Sequence, residues 1–273
     1  MLFHKPDSAD LAALSAWATV LPGASASEDY AHDEMTEYGA FAPDALALCE
    51  SAEGVAKVLG YCAQKNIAVT PRGAGTGLCG GAVPIHGGVV LSLERMNRIL
   101  EIDENTMTAT VEPGVLLSDF IREVEARGLF YPPDPGEKTA TLGGNAMTNA
   151  GGMRAVRYGV TRDYVLGMQV ALPSGELLDL GGKVVKTSSG YSLLSLLVGS
   201  EGTLGIVTKL ILKLLPMPRA NVSVLAPFDD LDACVRAVPQ VLACGAEPTA
   251  VEFMEREVIA CAETYLGKRF PDT

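Results

Sequence analysis

The sequence predicts an α+β fold for its 273 residues, and two observations carry that prediction. Strand-like runs cluster without intervening helices: Val89-Val90-Leu91-Ser92-Leu93, then Arg95 to Ile102, then Thr108 to Val111. Segments with helical periodicity sit apart from them, divided off by glycine and proline clusters. With 48% hydrophobic residues but only 6% aromatic, the core must be built from Ala, Val, Leu and Ile.

Taken in order, residues 9–22 read as a helix that Ser8 could cap and that stops at Leu21-Pro22-Gly23. The polar, turn-rich stretch 24–43 contains Asp33 and Tyr38 and receives no regular structure. An extended piece at 43–48 precedes a helix over 51–65, where Val55, Val58, Leu59 and Cys62 recur at helical spacing behind Ser51. Ile67 to Thr70 is a short strand that feeds a glycine-rich loop. After the strand cluster, Glu112-Pro113-Gly114 leads to a helix over 116–127 ended by Gly128. A long Gly/Pro/Asn loop follows. Strands then recur at 165–172 and 177–180 around the turn Pro173-Ser174-Gly175-Glu176, with a helix at 191–198 and strands over 204–214. Beyond Pro216-Met217-Pro218 a strand (221–226), a helix opened by Asp229-Asp230 (230–243) and a strand (249–254) read as a β-α-β start. The expected division is therefore 1–218, with subdomains parting near 81–88, and 219–273, the beginning of an α+β second domain that is incomplete here.

The net charge of −12 argues against a nucleic-acid partner and against binding to anionic lipid. No apolar run reaches the roughly 18 to 20 residues of a transmembrane segment, and the N-terminus lacks a secretory signal. These features lead us to expect a cytoplasmic protein. Its six cysteines are scattered without a C-x-x-C pair, and its three histidines show no metal spacing, so no metal site is expected.

Three polar, glycine-rich segments carry the functional signal. Pro71-Arg72-Gly73-Ala74-Gly75-Thr76-Gly77-Leu78-Cys79-Gly80-Gly81 directly follows a strand. Glycines at this density let successive backbone N–H groups converge on anionic oxygens, and a dinucleotide pyrophosphate suits such a nest. No helix follows, so it is not the nicotinamide fingerprint; no Gly-Lys-Ser/Thr closes it, so it is not a P-loop. The second segment joins Tyr131-Pro-Pro-Asp-Pro-Gly136 to Thr139-Ala-Thr-Leu-Gly-Gly-Asn145 and Asn149-Ala-Gly-Gly152. It is too long for a plain connection and rich in amides and hydroxyls. The third, Gly199-Ser-Glu-Gly-Thr-Leu-Gly-Ile206, is ambiguous alone.

Together PRGAGTG, DPGEKTATLGGNAMTNAGG with Arg157-Tyr158-Gly159, and GSEGTLGIVT resemble the FAD-binding domain of the vanillyl-alcohol-oxidase type. Within it they are most similar to the branch of glycolate oxidase catalytic subunits and D-lactate or D-2-hydroxyglutarate dehydrogenases. The resemblance implies a two-subdomain FAD-binding domain followed by the start of a substrate (cap) domain. It implies that Pro71, Arg72, Gly73, Ala74, Gly75, Thr76 and Gly77 wrap the pyrophosphate. Pro133, Asp134, Thr141, Gly143, Gly144, Asn145, Thr148, Asn149, Gly151 and Gly152 would run along the flavin, and Glu201, Gly202 and Ile206 would meet the adenosine side. No histidine lies in the first loop, and His86 lies beyond it, so the FAD is expected to be non-covalent. Lys186 and Tyr191 match the family's K-x-x-x-G-Y pattern and are expected to fix a loop near the cofactor. By the same resemblance a D-2-hydroxy acid would be oxidised to the 2-oxo acid by hydride transfer to flavin N5. Electrons would pass to a separate acceptor, an iron–sulfur subunit, an electron-transfer flavoprotein or a quinone. The base and the carboxylate-binding arginine would come from beyond residue 273, so no catalytic residue is assigned, and the isolated chain is expected to bind FAD but turn over poorly. The alternative is a non-catalytic flavin-binding or electron-relay subunit of a multi-subunit glycolate oxidase.

Overall fold

A computed structural model of the chain describes residues 3–270. The first part comprises α1 (Ser8–Leu14), β1 (Thr19–Pro22), β2 (Ala45–Leu48), α2 (Ala52–Gln64), β3 (Val69–Arg72) and β4 (Val89–Ser92), with short 3-10 turns at Gly23–Ser25, Glu28–Ala31 and Thr36–Tyr38. They form a 4-stranded sheet in the order β1-β2-β4-β3. β2 and β3 both run parallel to β4, and β1 is antiparallel to β2. Strands β2 and β4 are buried on both faces, which their runs Ala45-Leu-Ala-Leu48 and Val89-Val-Leu-Ser92 allow. Helix α2 starts where Ser51 accepts the Gly54 N–H at 3.1 Å, and it buries Val55, Val58 and Cys62 against this sheet.

The second part comprises β5 (Ile99–Asp103), β6 (Thr108–Val111), α3 (Leu117–Glu125), β7 (Leu129–Phe130), α4 (Leu142–Thr148), α5 (Ala155–Tyr158), β8 (Val165–Ala171), β9 (Leu177–Gly181), α6 (Leu193–Leu197), β10 (Ile206–Lys213) and β11 (Leu215–Pro216). Its 5-stranded antiparallel sheet has the order β5-β6-β10-β8-β9, and β7 pairs separately with β11. The core beneath it gathers Phe120, Tyr131, Met168, Leu210 and Leu212, with the Phe120 and Tyr131 rings edge to face at 5.1 Å. Ala171 and Ile206, paired at the ends of β8 and β10, pack into the core of the first sheet and so join the two parts.

Several sequence expectations are corrected. The helix expected over 9–22 ends at Leu14, because Thr19–Pro22 pairs with β2 instead of continuing it. Its cap is Asp7, whose carboxylate accepts the Ala9 and Asp10 N–H groups at 2.8 and 2.9 Å, rather than Ser8. The strand expected at 67–70 lies at Val69–Arg72, set by its register against β4. Strand β4 belongs to the first sheet, so the chain leaves that sheet after Ser92, later than 81–88. The long loop expected after Tyr131 contains helices α4 and α5. Among the described residues, 221–226 and 249–254 form no strands; only α7 (Leu231–Ala243) and α8 (Arg256–Leu266) are regular there. Val222 and Val224 are exposed, and no neighbouring strand pairs with either segment. Without ladder partners and a covered face, strand propensity alone does not hold a strand.

Candidate functional site

Strand β3 delivers the chain into the first glycine-rich segment at Gly73. From Gly73 to Gly81 no side chain is charged. Among the described residues, none of the backbone N–H groups from Gly73 to Ala82 has a hydrogen-bond partner. The segment's carbonyls are engaged at its rim, Gly77 O by the Glu34 N–H at 3.0 Å and Gly80 O by the Val83 N–H at 3.1 Å. The donors are thus left to a ligand, and a run of them is an anion site without side-chain charge. At Gly75 (φ +79°) a Cβ would lie 2.0 Å from the Arg72 guanidinium, so the loop turns directly over that side chain.

Arg72 itself lies between the loop and residues 30–32. It is buried, donates to the His32 carbonyl at 2.6 Å and lies over the Tyr30 ring at 5.4 Å. Burial lowers its pKa, opposed by the charges of Tyr30, Asp33, Asp29 and Glu94. Tyr30 in turn hydrogen-bonds Glu94 at 2.8 Å, and burial followed by that bond pushes its hydroxyl up to about 12. Residues 30–38 therefore form a strap along the loop. Glu34 ties to Gly77, Tyr38 backs Gly80, where a Cβ would meet the ring at 2.7 Å, and Asp33 lies beside Gly77. Asp33 is 2% exposed; its Oδ1 accepts the Met35 N–H at 2.9 Å, and its Oδ2 has no partner. The strap was not legible in the sequence, where it was an unassigned polar stretch; its one signal was Asp33, a carboxylate placed to cap a turn.

The second segment opens α4. Thr141 caps it by accepting the Gly144 N–H at 3.2 Å, and Gly143 lets the helix close on Pro113, where a Cβ would come within 2.6 Å of the proline. Asn145 is buried, and its Nδ2 has no partner. The Thr148 hydroxyl donates to the Gly144 carbonyl at 3.0 Å. Asn149 ends the helix in the left-handed region (φ 49°), with its Oδ1 accepting the Arg162 N–H at 2.9 Å. Gly152 lies against the Asp134 carbonyl, where a Cβ would come to 1.7 Å, and Gly151 packs on Val160.

The third segment docks on both others. The Gly199 and Glu201 N–H groups donate to the Ala146 and Met147 carbonyls of α4 at 3.0 and 2.9 Å. Gly202 (φ +74°) abuts Pro71, with a Cβ position 2.6 Å from its ring, and Gly81 faces Glu201 Oε2. The first and second segments meet at Gly73, where a Cβ would lie 2.2 Å from Thr141 Oγ1. Pro71, Gly73, Thr141, Asn149, Glu201 and Gly202 are thus brought to one junction, whereas Gly75 and Gly77 lie against Arg72 and Asp33, on the strap side, and Gly151 and Gly152 pack on Val160 and Asp134.

Other predicted residues are used differently. Pro133 is buried. The Asp134 carboxylate is held by Lys138 and by Arg154 at 3.4 Å; burial works against its ionisation, but the Lys138 hydrogen bond and these charges outweigh it and lower its pKa. The Ile206 side chain is buried in the core of the first sheet, so only its backbone is left to meet a ligand. Tyr191 is 99% exposed and makes no contact with the three segments. One His/Asp group, His4, Asp7 and Asp10, has its ligand atoms within 4.8 Å of one another, but its oxygens already cap α1 and accept the Tyr61 hydroxyl. No helix among the described residues is long and apolar enough to cross a membrane.

The residues fit a flavin dinucleotide. The pyrophosphate needs several N–H donors on an approachable backbone, which Gly73–Ala82 offers. Its sugar and ring atoms need buried polar partners, and Asn145 Nδ2 and Asp33 Oδ2 are both free. Residues 43–181 match the FAD binding domain family, and residues 217–273 match the C-terminal domain of FAD linked oxidases. The chain is 53% identical over 250 residues to a D-lactate dehydrogenase of Anaerostipes hadrus, covering 92% of this chain and 53% of that protein. It is 45% identical over 237 residues to the glycolate oxidase subunit GlcD of Bacillus subtilis, covering 86% and 50%. The chain thus spans about half the length of these curated relatives. The crystal structure of 6-hydroxy-D-nicotine oxidase from Arthrobacter nicotinovorans shares the fold with a TM-score of 0.70 at 23% identity, over 84% of this chain and 50% of that one.

Proposed function

The chain belongs to the FAD-linked oxidases of the vanillyl-alcohol-oxidase type, and on that premise we propose that it holds FAD non-covalently where its three glycine-rich segments meet and serves the oxidation of a D-2-hydroxy acid of the glycolate or D-lactate type. The observation that carries this reading is the run of unpartnered N–H groups from Gly73 to Ala82 at that junction. In it, Gly73, Ala74, Gly75, Thr76 and Gly77 bind the pyrophosphate, Gly143 to Gly152 line the flavin side, and Glu201 and Gly202 close the adenosine side. Bound flavin supplies a hydride acceptor. The chain's own residues hold and orient it: Thr141 fixes the start of α4, Asn145 offers an amide donor, and Pro71, packed on Gly202, holds the mouth of the first segment.

Non-covalent attachment is supported by the absence of histidine from Pro71 to Gly81 and by His86 being packed against Phe3 at 5.2 Å. The domain division that goes with this reading is 1–218 for the FAD-binding domain and 219–273 for the start of the substrate domain. Electrons would leave to a separate acceptor, an iron–sulfur subunit, an electron-transfer flavoprotein or a quinone. The free cysteines suit a reducing, cytoplasmic setting. The test is to titrate the apoprotein with FAD, follow quenching of flavin fluorescence, release the flavin with acid, and then challenge the loaded protein anaerobically with D-lactate, glycolate and D-2-hydroxyglutarate. Stoichiometric FAD that acid releases is the expected result, with bleaching that is slow because the base and carboxylate-binding arginine are expected beyond residue 273, and that for the two chiral acids is greater with the D- than with the L-isomer. Failure to bind FAD, or flavin that stays with the denatured protein, contradicts it.

A further inference from the structure

We propose that Asp33, on the strap outside the glycine-rich segments, is a positioning residue that accepts a hydrogen bond from a hydroxyl or amino group of the bound dinucleotide through Oδ2. The inference rests on the FAD reading above. Buried polar atoms are almost always paired, because an unpaired one forfeits its hydration without return. Asp33 is 2% exposed, and of its carboxylate oxygens only Oδ1 has a partner, the Met35 N–H. Oδ2 faces the ligand loop: a Cβ built on Gly77 would lie 3.6 Å from it, and apart from Gly77 and its chain neighbours no other described atom lies within 4 Å of that position. The strap keeps the carboxylate there, since the next residue, Glu34, donates its N–H to Gly77 O at 3.0 Å.

A carboxylate only accepts, so its partner must be a donor; an unprotonated phosphate oxygen is excluded by charge as well. Beside a loop of free N–H groups, which take the phosphates, Asp33 supplies the opposite polarity, and the buried Arg72 guanidinium balances its charge within the strap. Donor and acceptor groups side by side read a nucleotide's sugar or base next to its phosphates, where bare anion binding could not tell pyrophosphate from any other polyanion. Gly77 has no side chain to stand between the loop and the carboxylate.

The experiment compares wild type, Asp33→Asn and Asp33→Ser as apoproteins. Asn keeps the acceptor for the Met35 N–H and replaces Oδ2 by a donor; Ser keeps a hydroxyl acceptor in the turn and removes Oδ2. Melting temperature is read on the apoprotein, and affinity for FAD, FMN and ADP by fluorescence titration and competition. The expected result is an unchanged apo melting temperature with FAD bound roughly 10- to 100-fold more weakly in both variants, as for loss of a hydrogen bond to a charged group. The loss should also fall on ADP or on FMN, showing which half of the dinucleotide donates. Wild-type FAD affinity in the Asn variant overturns the proposal, as does an apo melting temperature that falls in step with affinity, which would make Asp33 a brace for the strap. If wild type itself does not bind FAD, the cofactor reading fails instead.

Discussion

Replacing Gly73 by alanine tests whether the first and second segments are in contact. The backbone there is not in the left-handed region, so the effect is steric. The new Cβ would lie 2.2 Å from Thr141 Oγ1, well inside the 3.0 Å that real Cβ contacts respect. Either the loop shifts, at the about 1–3 kcal/mol typical of overpacking, or Thr141 turns away and gives up its bond to the Gly144 N–H, a cap worth about 0.5–2 kcal/mol. The cheaper route limits the cost, so Gly73→Ala should destabilise the apoprotein by about 1–2 kcal/mol. Thr141→Ala should cost about 1 kcal/mol through the same cap. In the double variant the offending oxygen is gone, and the remaining Thr141 atom of interest, Cβ at 3.4 Å, is in ordinary contact. Gly73→Ala should therefore be nearly free in the Thr141→Ala background, a coupling of about 1 kcal/mol. Denaturant titration of the four proteins measures it, with melting shifts of roughly 2–4 °C per kcal/mol as a check. Strictly additive effects, or a neutral Gly73→Ala in the wild-type background, would refute the close approach on which the composite site rests.

Other expectations follow from single positions. Gly202→Ala forces a side chain into φ +74° and against Pro71; a loss of about 2–4 kcal/mol is expected from conformational strain plus overpacking, together with weaker FAD binding, and unchanged melting and affinity would contradict it. Asp10 has its carboxyl lowered to about 2 by the Asp7 N–H, then by Tyr61 and His4. Its folded value lies below the unfolded value of about 3.9, so its stabilisation is present above pH about 4 and is lost as pH falls toward 2; Asp10→Asn should flatten the stability profile in that window and leave the slope above pH 5 unchanged. Cys49 and Cys62 are buried and pushed up to about 12, chiefly by burial, whereas Cys79 is exposed in the first glycine segment. A thiol reagent should spare the first two in the native protein and label Cys79, and FAD should slow that labelling; labelling of Cys79 indifferent to FAD would count against the loop as the binding element.

The sequence was most informative where chemistry is local. Helix α2 was readable from Ser51 and the spacing of Val55, Val58 and Cys62, and β4 from an unbroken apolar run, because capping and periodicity are set within a few residues. The three glycine-rich segments were visible too, since few roles other than close backbone approach need glycine at that density. Their meeting was not visible: Gly73 on Thr141, Gly81 on Glu201 and Gly202 on Pro71 are contacts across long sequence separations. Helix α4 was hidden because Gly143 and Gly144 are poor helix formers; packing on Pro113 and the Thr141 cap override that propensity. The strap was hidden for the opposite reason. Its short 3-10 turns have no period, and Asp33 and Tyr38 gain meaning only from the loop they back. The strands expected at 221–226 and 249–254 show that alternation of apolar residues specifies a strand only where a sheet receives it.

Amide hydrogen exchange across Gly73–Ala82, with and without FAD, tests the central claim most directly. These N–H groups have no partner among the described residues, so in the apoprotein they should exchange rapidly, unlike the neighbouring β3 and β4, and the glycine loop should become the most strongly protected new segment once FAD binds. ADP should reproduce the protection, because the pyrophosphate is what the loop is built to hold. Protection that arises elsewhere while Gly73–Ala82 exchanges as before would contradict the assignment of this loop as the cofactor's anion site.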